Sequence, residues 1–218
     1  MKKSIKVISF DLDGVLFDGP SATYPIAKKL GIDDKFDSVL QKVQNEQLSL
    51  DELIVEGSKI WVGVPVDGTL DSIIETMPLM NGAEDTVATL QKWGYLVGCI
   101  SSGVSQFFMK PLVARLNLDF AFSNILNVAN GHHDGTVSFI MNGPEKANSA
   151  IKYLTEQGLS RDNLASIGDG ENDINLFNVS SFSIAFNPTS DRVTDAASIT
   201  IRTKDLRSIL PHFNPDFP

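Results

Sequence analysis

Five short apolar runs decide most of what this chain can fold into: Val7–Phe10, Tyr95–Ile100, Leu164–Ile167, Phe182–Phe186 and Ser198–Ile201. They are too short for ordinary buried helices, and they lack the polar alternation of a strand with one face in water. Such runs predict strands covered on both faces. Helical patterns lie between them. "GAEDTVATLQKWG", Gly82–Gly94, sets Val87, Leu90 and Trp93 on one face and stops at a glycine suited to the position after a helix end. "PEKANSAIKYLTEQG", Pro144–Gly158, begins with proline and ends with glycine in the same sense. Strands alternating with helices predict an α/β fold with a doubly wound parallel sheet. Ligands of such sheets bind beyond the carboxyl ends of the strands.

Two segments break the alternation. Residues 18–79 are too long for a connection, and stretches such as "SLDELIVEGSKIWVG" read as short amphipathic helices, with Ser49 as N-cap and Glu52 at the capping-box position. They predict a small helical cap inserted into a core made of residues 1–17 and 80–218. The second is "NILNVANGHHDGTVSFI", Asn124–Ile140, where Asn130-Gly131 between two β-leaning runs predicts a hairpin. His132 and His133 beside it are read as turn residues, since two adjacent histidines do not make a metal site. The tail "PHFNPDFP", with three prolines in eight residues, predicts irregular chain.

Composition removes several functions. With 42% hydrophobic residues, the 218-residue chain has enough apolar side chain for a full core. Its formal net charge of −9, with no long Lys/Arg run, excludes affinity for nucleic acid or anionic membrane through a basic patch. The opening "MKKSIKVISF" has an apolar stretch of only four residues before Asp11, which is neither a signal peptide nor a membrane span. The single cysteine, Cys99, lies in the apolar "YLVGCI", reads as a core residue, and suits a reducing cytoplasm.

Chemistry concentrates where the strands end. "VISFDLDG" runs directly into Asp11 and Asp13; two carboxylates so close repel unless they face water or are held for a cation. "LVGCI" ends in Ser101-Ser102-Gly103, Lys146 opens the Pro144–Gly158 helix, and "LASI" ends in "GDGENDI", with Asp169, Asn172 and Asp173. Taken singly, these are an Asx turn, a helix cap, a solvated lysine and a loop. In parallel strands all four meet at one edge, as four acids, a lysine and hydroxyls. Oxygen-only ligands favour Mg²⁺, which bridges to substrate phosphate. A carboxylate can attack phosphorus, a second can move the leaving group's proton, and phosphoryl transfer otherwise needs positioning and charge neutralisation.

These motifs, in this order, resemble those of the haloacid dehalogenase-like phosphohydrolases, and "NGAEDTVATLQKWGYLVGCISSGVSQF", "GDGENDINLF" and "SIAFNPTSDRVTDAASITI" resemble the phosphoserine phosphatase branch. The resemblance spans roughly residues 4–16 and 80–210 and implies the Rossmann-like core of that superfamily. It implies Asp11 as nucleophile, Asp13 as acid/base, and Ser101, Ser102, Gly103, Lys146 and Asn172 around the phosphoryl group. Mg²⁺ would be held by Asp11, the Asp13 main-chain carbonyl and Asp169, with Asp173 in support. The partner implied is a small phosphorylated metabolite met by a cytoplasmic monomer or homodimer, with no nucleic acid and no membrane.

Asp13 favours phosphate esters over carbon–halogen bonds, because the superfamily's dehalogenases lack it. The cap departs from the branch. Pro20 and Gly57 stand where it carries a Glu and an Arg for the substrate's amine and carboxylate, and no arginine occurs before Arg115. The same residues would also serve a phosphotransferase to a hydroxyl acceptor, and a phospho-receiver signalling domain uses a similar set.

Overall fold

The computed structural model describes residues 4–214, without the side chains of Val43 and Gln44. Its seven-stranded sheet has the order β4-β3-β2-β1-β5-β6-β7. The strands are β1 (Val7–Phe10), β2 (Leu96–Ser105), β3 (Phe120–Ala129), β4 (His132–Phe139), β5 (Leu164–Gly168), β6 (Phe182–Phe186) and β7 (Ile199–Ile201). Every neighbouring pair is parallel except β3 with β4. The chain winds outward from β1 through β2 to the hairpin, then returns to β5 on the other side of β1. The topological switch therefore lies between β1 and β5, where an open α/β sheet leaves its crevice.

Helices cover both faces. Among them are α5 (Ala83–Lys92), α6 (Gln106–Leu116), α7 (Gly143–Glu156), α8 (Ile174–Val179) and α9 (Asp191–Ala196). Val7, Ile8 and Phe10 of β1 and Leu164, Ala165 and Ile167 of β5 are buried to within 1%, as both-face coverage requires. The expected α5 face is present: Val87 and Leu90 are buried against the main core, and Trp93 packs at its edge. Asn142 caps α7 by accepting the Glu145 N–H at 3.1 Å, with Pro144 in the first turn. The Asn130-Gly131 turn has both residues at positive φ, 52° and 76°, the twist that two-residue hairpins favour.

Between β1 and α5 lie four helices: α1 (Tyr24–Lys29), α2 (Asp33–Glu46), α3 (Leu50–Ser58) and α4 (Asp71–Thr76). The capping box at Ser49 forms as expected, the Glu52 carboxylate accepting the Ser49 N–H at 2.8 Å and Ser49 Oγ accepting the Glu52 N–H at 3.3 Å. This inserted segment is stitched to the hairpin through main chain. Gly63 N–H donates to the His133 carbonyl, His133 N–H to Val64, and Val66 N–H to Gly131, all within 3.1 Å. Ser58 Oγ donates to the Gly135 carbonyl at 2.7 Å.

Three expectations are corrected. β2 does not end at Ile100 but runs to Ser105, with its register against β3 shifting between those residues. A run of serines and glycine conceals strand, because the apolar signal stops while the backbone stays extended. His132 and His133 are not turn residues but open β4, and His133 faces inward, 6% exposed and edge-on to the Phe107 ring at 4.9 Å. The tail is not irregular throughout: Leu210–Phe213 form a helical turn with Pro211 near its start, where a missing N–H costs nothing. Residues 215–218 of that expectation, and Met1–Lys3 of the basic start, lie outside the described residues. Among the described residues no helix is long and apolar enough to cross a membrane.

Candidate active site

β1 ends at Phe10, and the next residue, Asp11, is drawn in by its N–H donating to the Ile167 carbonyl of β5 at 2.8 Å. The carboxylate stands on the β1/β5 switch, 4% exposed. The chain then turns sharply. Gly14 has φ 76°, and a Cβ there would run into the Asp169 carboxylate; only glycine brings the two loops this close. Asp13 Oδ1 accepts the Ala22 N–H at 2.6 Å, so main chain of the inserted segment orients that carboxylate. On its other side a Cβ on Gly103 would overlap Asp13 Oδ2.

Lys146 reaches the same point from the first turn of α7. Its ammonium donates to Asp11 Oδ1 and Asp173 Oδ1, each at 2.7 Å, and is fully buried. Asp173 Oδ2 in turn accepts the N–H groups of Asp169 and Gly170, both at 3.1 Å, fixing the "GDG" loop that follows β5. One lysine thus ties β1, α7 and the β5 loop together. Burial of a charged pair or triad is tolerable only when each charge is compensated, and here two carboxylates share one cation.

That imbalance shows in the acidities. Burial pushes the Asp11 carboxyl well above its ordinary range; Lys146 opposes the shift, and Asp173 and Asp13 add to it. Burial raises Asp13 to about 6, opposed by the Ala22 hydrogen bond. Burial raises Asp169 to about 7, with the Asp173 charge adding to it. For Lys146 burial alone would lower the pKa, but Asp11 and Asp173 outweigh it and hold the ammonium protonated. Asp11, Asp169 and Asp173 each offer a carboxylate oxygen, all within 4.8 Å of one another. Three hard oxygen donors with surplus negative charge fit a divalent cation such as Mg²⁺.

A cavity of about 920 Å³ opens over this cluster. Asp11, Asp13, Ser102, Gly103, Asp169 and Asn172 line its floor, and Asn172 Nδ2 donates to Ser102 Oγ at 3.2 Å. Ser101, Lys146 and Asp173 are fully buried behind that floor; Ser101 Oγ accepts the Gly103 N–H at 3.1 Å and so shapes the loop. Sequence reasoning missed Asn124. It is buried, its Nδ2 donates to the carbonyls of Ser102 at 2.7 Å and Val104 at 3.0 Å, and its Oδ1 accepts the Met141 N–H at 2.8 Å. It locks the irregular end of β2 to the approach of α7. The available signal was an amide inside the mostly apolar "FAFSNIL", since buried amides need partners. Cys99 is buried in β2, and burial raises its thiol well above the usual range, so it is an inert core residue.

Residues 121–211 match the model of the haloacid dehalogenase-like hydrolases. The phosphoserine phosphatase of Archaeoglobus fulgidus is 29% identical over 202 residues, covering 92% of this chain and 58% of that protein. The chain thus spans little more than half of that relative's length. The phosphoserine phosphatase of Methanocaldococcus jannaschii is 26% identical over 213 residues, 97% of this chain and 99% of that one. Among solved structures, a phospho-aspartyl intermediate analogue of phosphoserine phosphatase superposes with a TM-score of 0.80 at 26% identity, covering 96% of this chain and 99% of that one. The chain is thus similar to the haloacid dehalogenase-like hydrolases over residues 121–211 and to phosphoserine phosphatases over nearly its whole length.

Proposed function

We propose that this protein is a Mg²⁺-dependent phosphomonoesterase working through an aspartyl-phosphate on Asp11. The observation that carries the reading is the switch-point cluster: Asp11 held at 2.7 Å by Lys146, which is itself held at 2.7 Å by Asp173. Asp13 and Asp169 stand on the same cavity floor. The analogue structure of the related phosphatase supports a phospho-aspartyl step.

In this reading Asp11 attacks phosphorus as the bond to the leaving oxygen breaks, and Asp13 gives that oxygen its proton, releasing the alcohol. Water then attacks phosphorus, its proton returning to Asp13, and inorganic phosphate leaves with Asp11 restored. Lys146 offsets charge on Asp11 and the phosphoryl group. Ser102 Oγ, Asn172 and main-chain N–H groups beside Ser102 would hold phosphoryl oxygens, while Ser101, by accepting the Gly103 N–H, shapes the loop that presents them. Asp11, Asp169 and the Asp13 carbonyl would hold Mg²⁺, supported by Asp173; the ion supplies positive charge against the phosphoryl oxygens. Residues 18–79 act as a cap over a core of 1–17 and 80–218, keeping bulk water from the reaction. The setting is the cytoplasm, and the substrate a small phosphorylated metabolite.

The test is inorganic phosphate release across a panel of small phosphomonoesters, with Mg²⁺ and with EDTA. Metal-dependent release that chelation abolishes is expected; absence of release from every ester, or release indifferent to EDTA, would overturn the reading.

A further inference from the structure

The cavity has a second end. Away from the carboxylates its wall is made by Phe36 and Leu40 of the Asp33–Glu46 helix, Leu53 and Ile54 of the Leu50–Ser58 helix, Trp61, and Phe107 of α6. These side chains and the carboxylates line one continuous space of about 920 Å³, near the upper end of cavities that enclose drug-sized ligands. Leu40 is left 45% exposed at this wall. Apolar surface held open inside a cavity that also contains the reacting groups calls for an apolar occupant.

The charges point the same way. A phosphorylated amino acid would bring a carboxylate and an ammonium into this space. Among the described residues no arginine lines it. The first arginine, Arg115, is engaged elsewhere by Glu84 at 2.7 Å and the Met77 carbonyl at 2.6 Å. The lysines in the lining, Lys110 and Lys204, are solvent-exposed, and Lys204 is already paired with Asp18 at 2.6 Å. They stand at the rim. His133, in the wall, is held below the usual histidine range by burial and presents a neutral ring. A carboxylate carried past the rim would lose water and find no cation.

We infer that the substrate is a phosphomonoester whose leaving group is uncharged and apolar, an aryl group or a medium-length alkyl chain, seated against the wall built by the inserted helices. The inference rests on the phosphatase reading above and names its substrate class. The reaction is hydrolysis: the phosphorus–oxygen bond breaks, the apolar alcohol departs with a proton, and water supplies the oxygen that completes inorganic phosphate.

The experiment is kcat/KM with Mg²⁺ for ethyl, butyl, hexyl and octyl phosphate, phenyl and naphthyl phosphate, and phosphoserine. A chain bound in this wall should gain about fourfold for each added methylene until the space is filled, and hexyl or naphthyl phosphate should exceed phosphoserine by roughly tenfold or more. A flat series, or phosphoserine equal to or above hexyl phosphate, overturns the inference and leaves the phosphatase intact. No release from any ester overturns the phosphatase reading instead. Titration calorimetry with hexylphosphonate and 2-amino-4-phosphonobutyrate then decides the wall alone: tighter hexylphosphonate supports it, and equal or weaker binding overturns it. Leu53→Asn should flatten the chain-length series, and Leu40→Gln, at a more exposed position, should do so with less risk to folding; an unchanged slope in a folded variant places the chain elsewhere and overturns the assignment.

Discussion

The two ends of one cavity are built on opposite principles. At the switch-point end polar groups are held by one another: Lys146 by two carboxylates, Asp13 by the Ala22 N–H, Asp173 by two loop amides. Strand ends and a helix start set these positions, and glycine at 14 and 103 permits contacts that a Cβ would block. At the other end Phe36, Leu40, Leu53 and Trp61, all from the segment between β1 and α5, line the space as apolar side chains. The first end can tolerate almost no displacement, because charges in low dielectric interact strongly and specifically. The second can be rebuilt while remaining apolar. In the proposed reading, reaction and selectivity would thereby be separable.

The sharpest break of that contrast is Asp11→Asn. The amide is nearly isosteric but cannot form the acyl-phosphate, so turnover should fall by roughly 10⁴-fold or more with every ester, whatever its leaving group. Phosphate release and circular dichroism together check it; a folded variant with most of its activity would remove Asp11 from the reaction. Lys146→Met comes next. It strips the cation from two buried carboxylates and should cost about 3–5 kcal/mol of stability, as loss of one partner of a buried ion pair does. Urea unfolding measures this, and Mg²⁺ should recover part of the loss if the same carboxylates hold it. A cost below about 1 kcal/mol would place the pair among weak surface bridges and contradict the burial.

The sequence made the first end far more legible than the second. An apolar run stopped by Asp11, a Pro-to-Gly helix carrying Lys146 in its first turn, and a strand ending in "GDGEND" each carry their position in local pattern. Parallel winding then forces their ends together. Local pattern was weaker where polar residues sit in extended chain: Ser101–Ser105 continue β2, Asn124 faces inward from a mostly apolar run, and His133 faces inward among neighbours that look turn-like. The apolar wall was not legible at all. Amphipathic spacing says that the Asp33–Glu46 and Leu50–Ser58 helices bury a face, but not against what. That answer depends on β4 receiving residues 63–66 through main-chain hydrogen bonds, a long-range pairing with no side-chain signature.

Gly103→Ala sharpens the contrast inside the reaction end. Position 103 lacks a positive φ, so alanine brings no backbone strain there, and the whole effect comes from a methyl meeting Asp13. Displacing a reacting group by about 1 Å costs on the order of 10²-fold, so kcat should drop by that much. Stability should change little, since Gly103 is exposed on the cavity floor. Equal losses across short and long alkyl esters are expected. A loss confined to long chains would mean that position 103 meets the leaving group rather than the acid.

The smallest effect tests the opposite end from outside. Ser49→Ala removes the hydroxyl that accepts the Glu52 N–H and starts the Leu50–Ser58 helix, which should cost about 1 kcal/mol. Ser49 does not itself line the cavity, but its carbonyl accepts the Leu53 N–H at 2.9 Å, and the helix it caps carries Leu53 and Ile54. If reaction and selectivity are separable, fraying this helix should leave rates on ethyl phosphate within about twofold while reducing the gain per methylene in the longer esters. Equal losses on ethyl and octyl phosphate would instead show the inserted segment acting on the chemistry itself, through the Ala22 N–H that orients Asp13. The two ends would then be one mechanical unit, and the separation drawn above would fail.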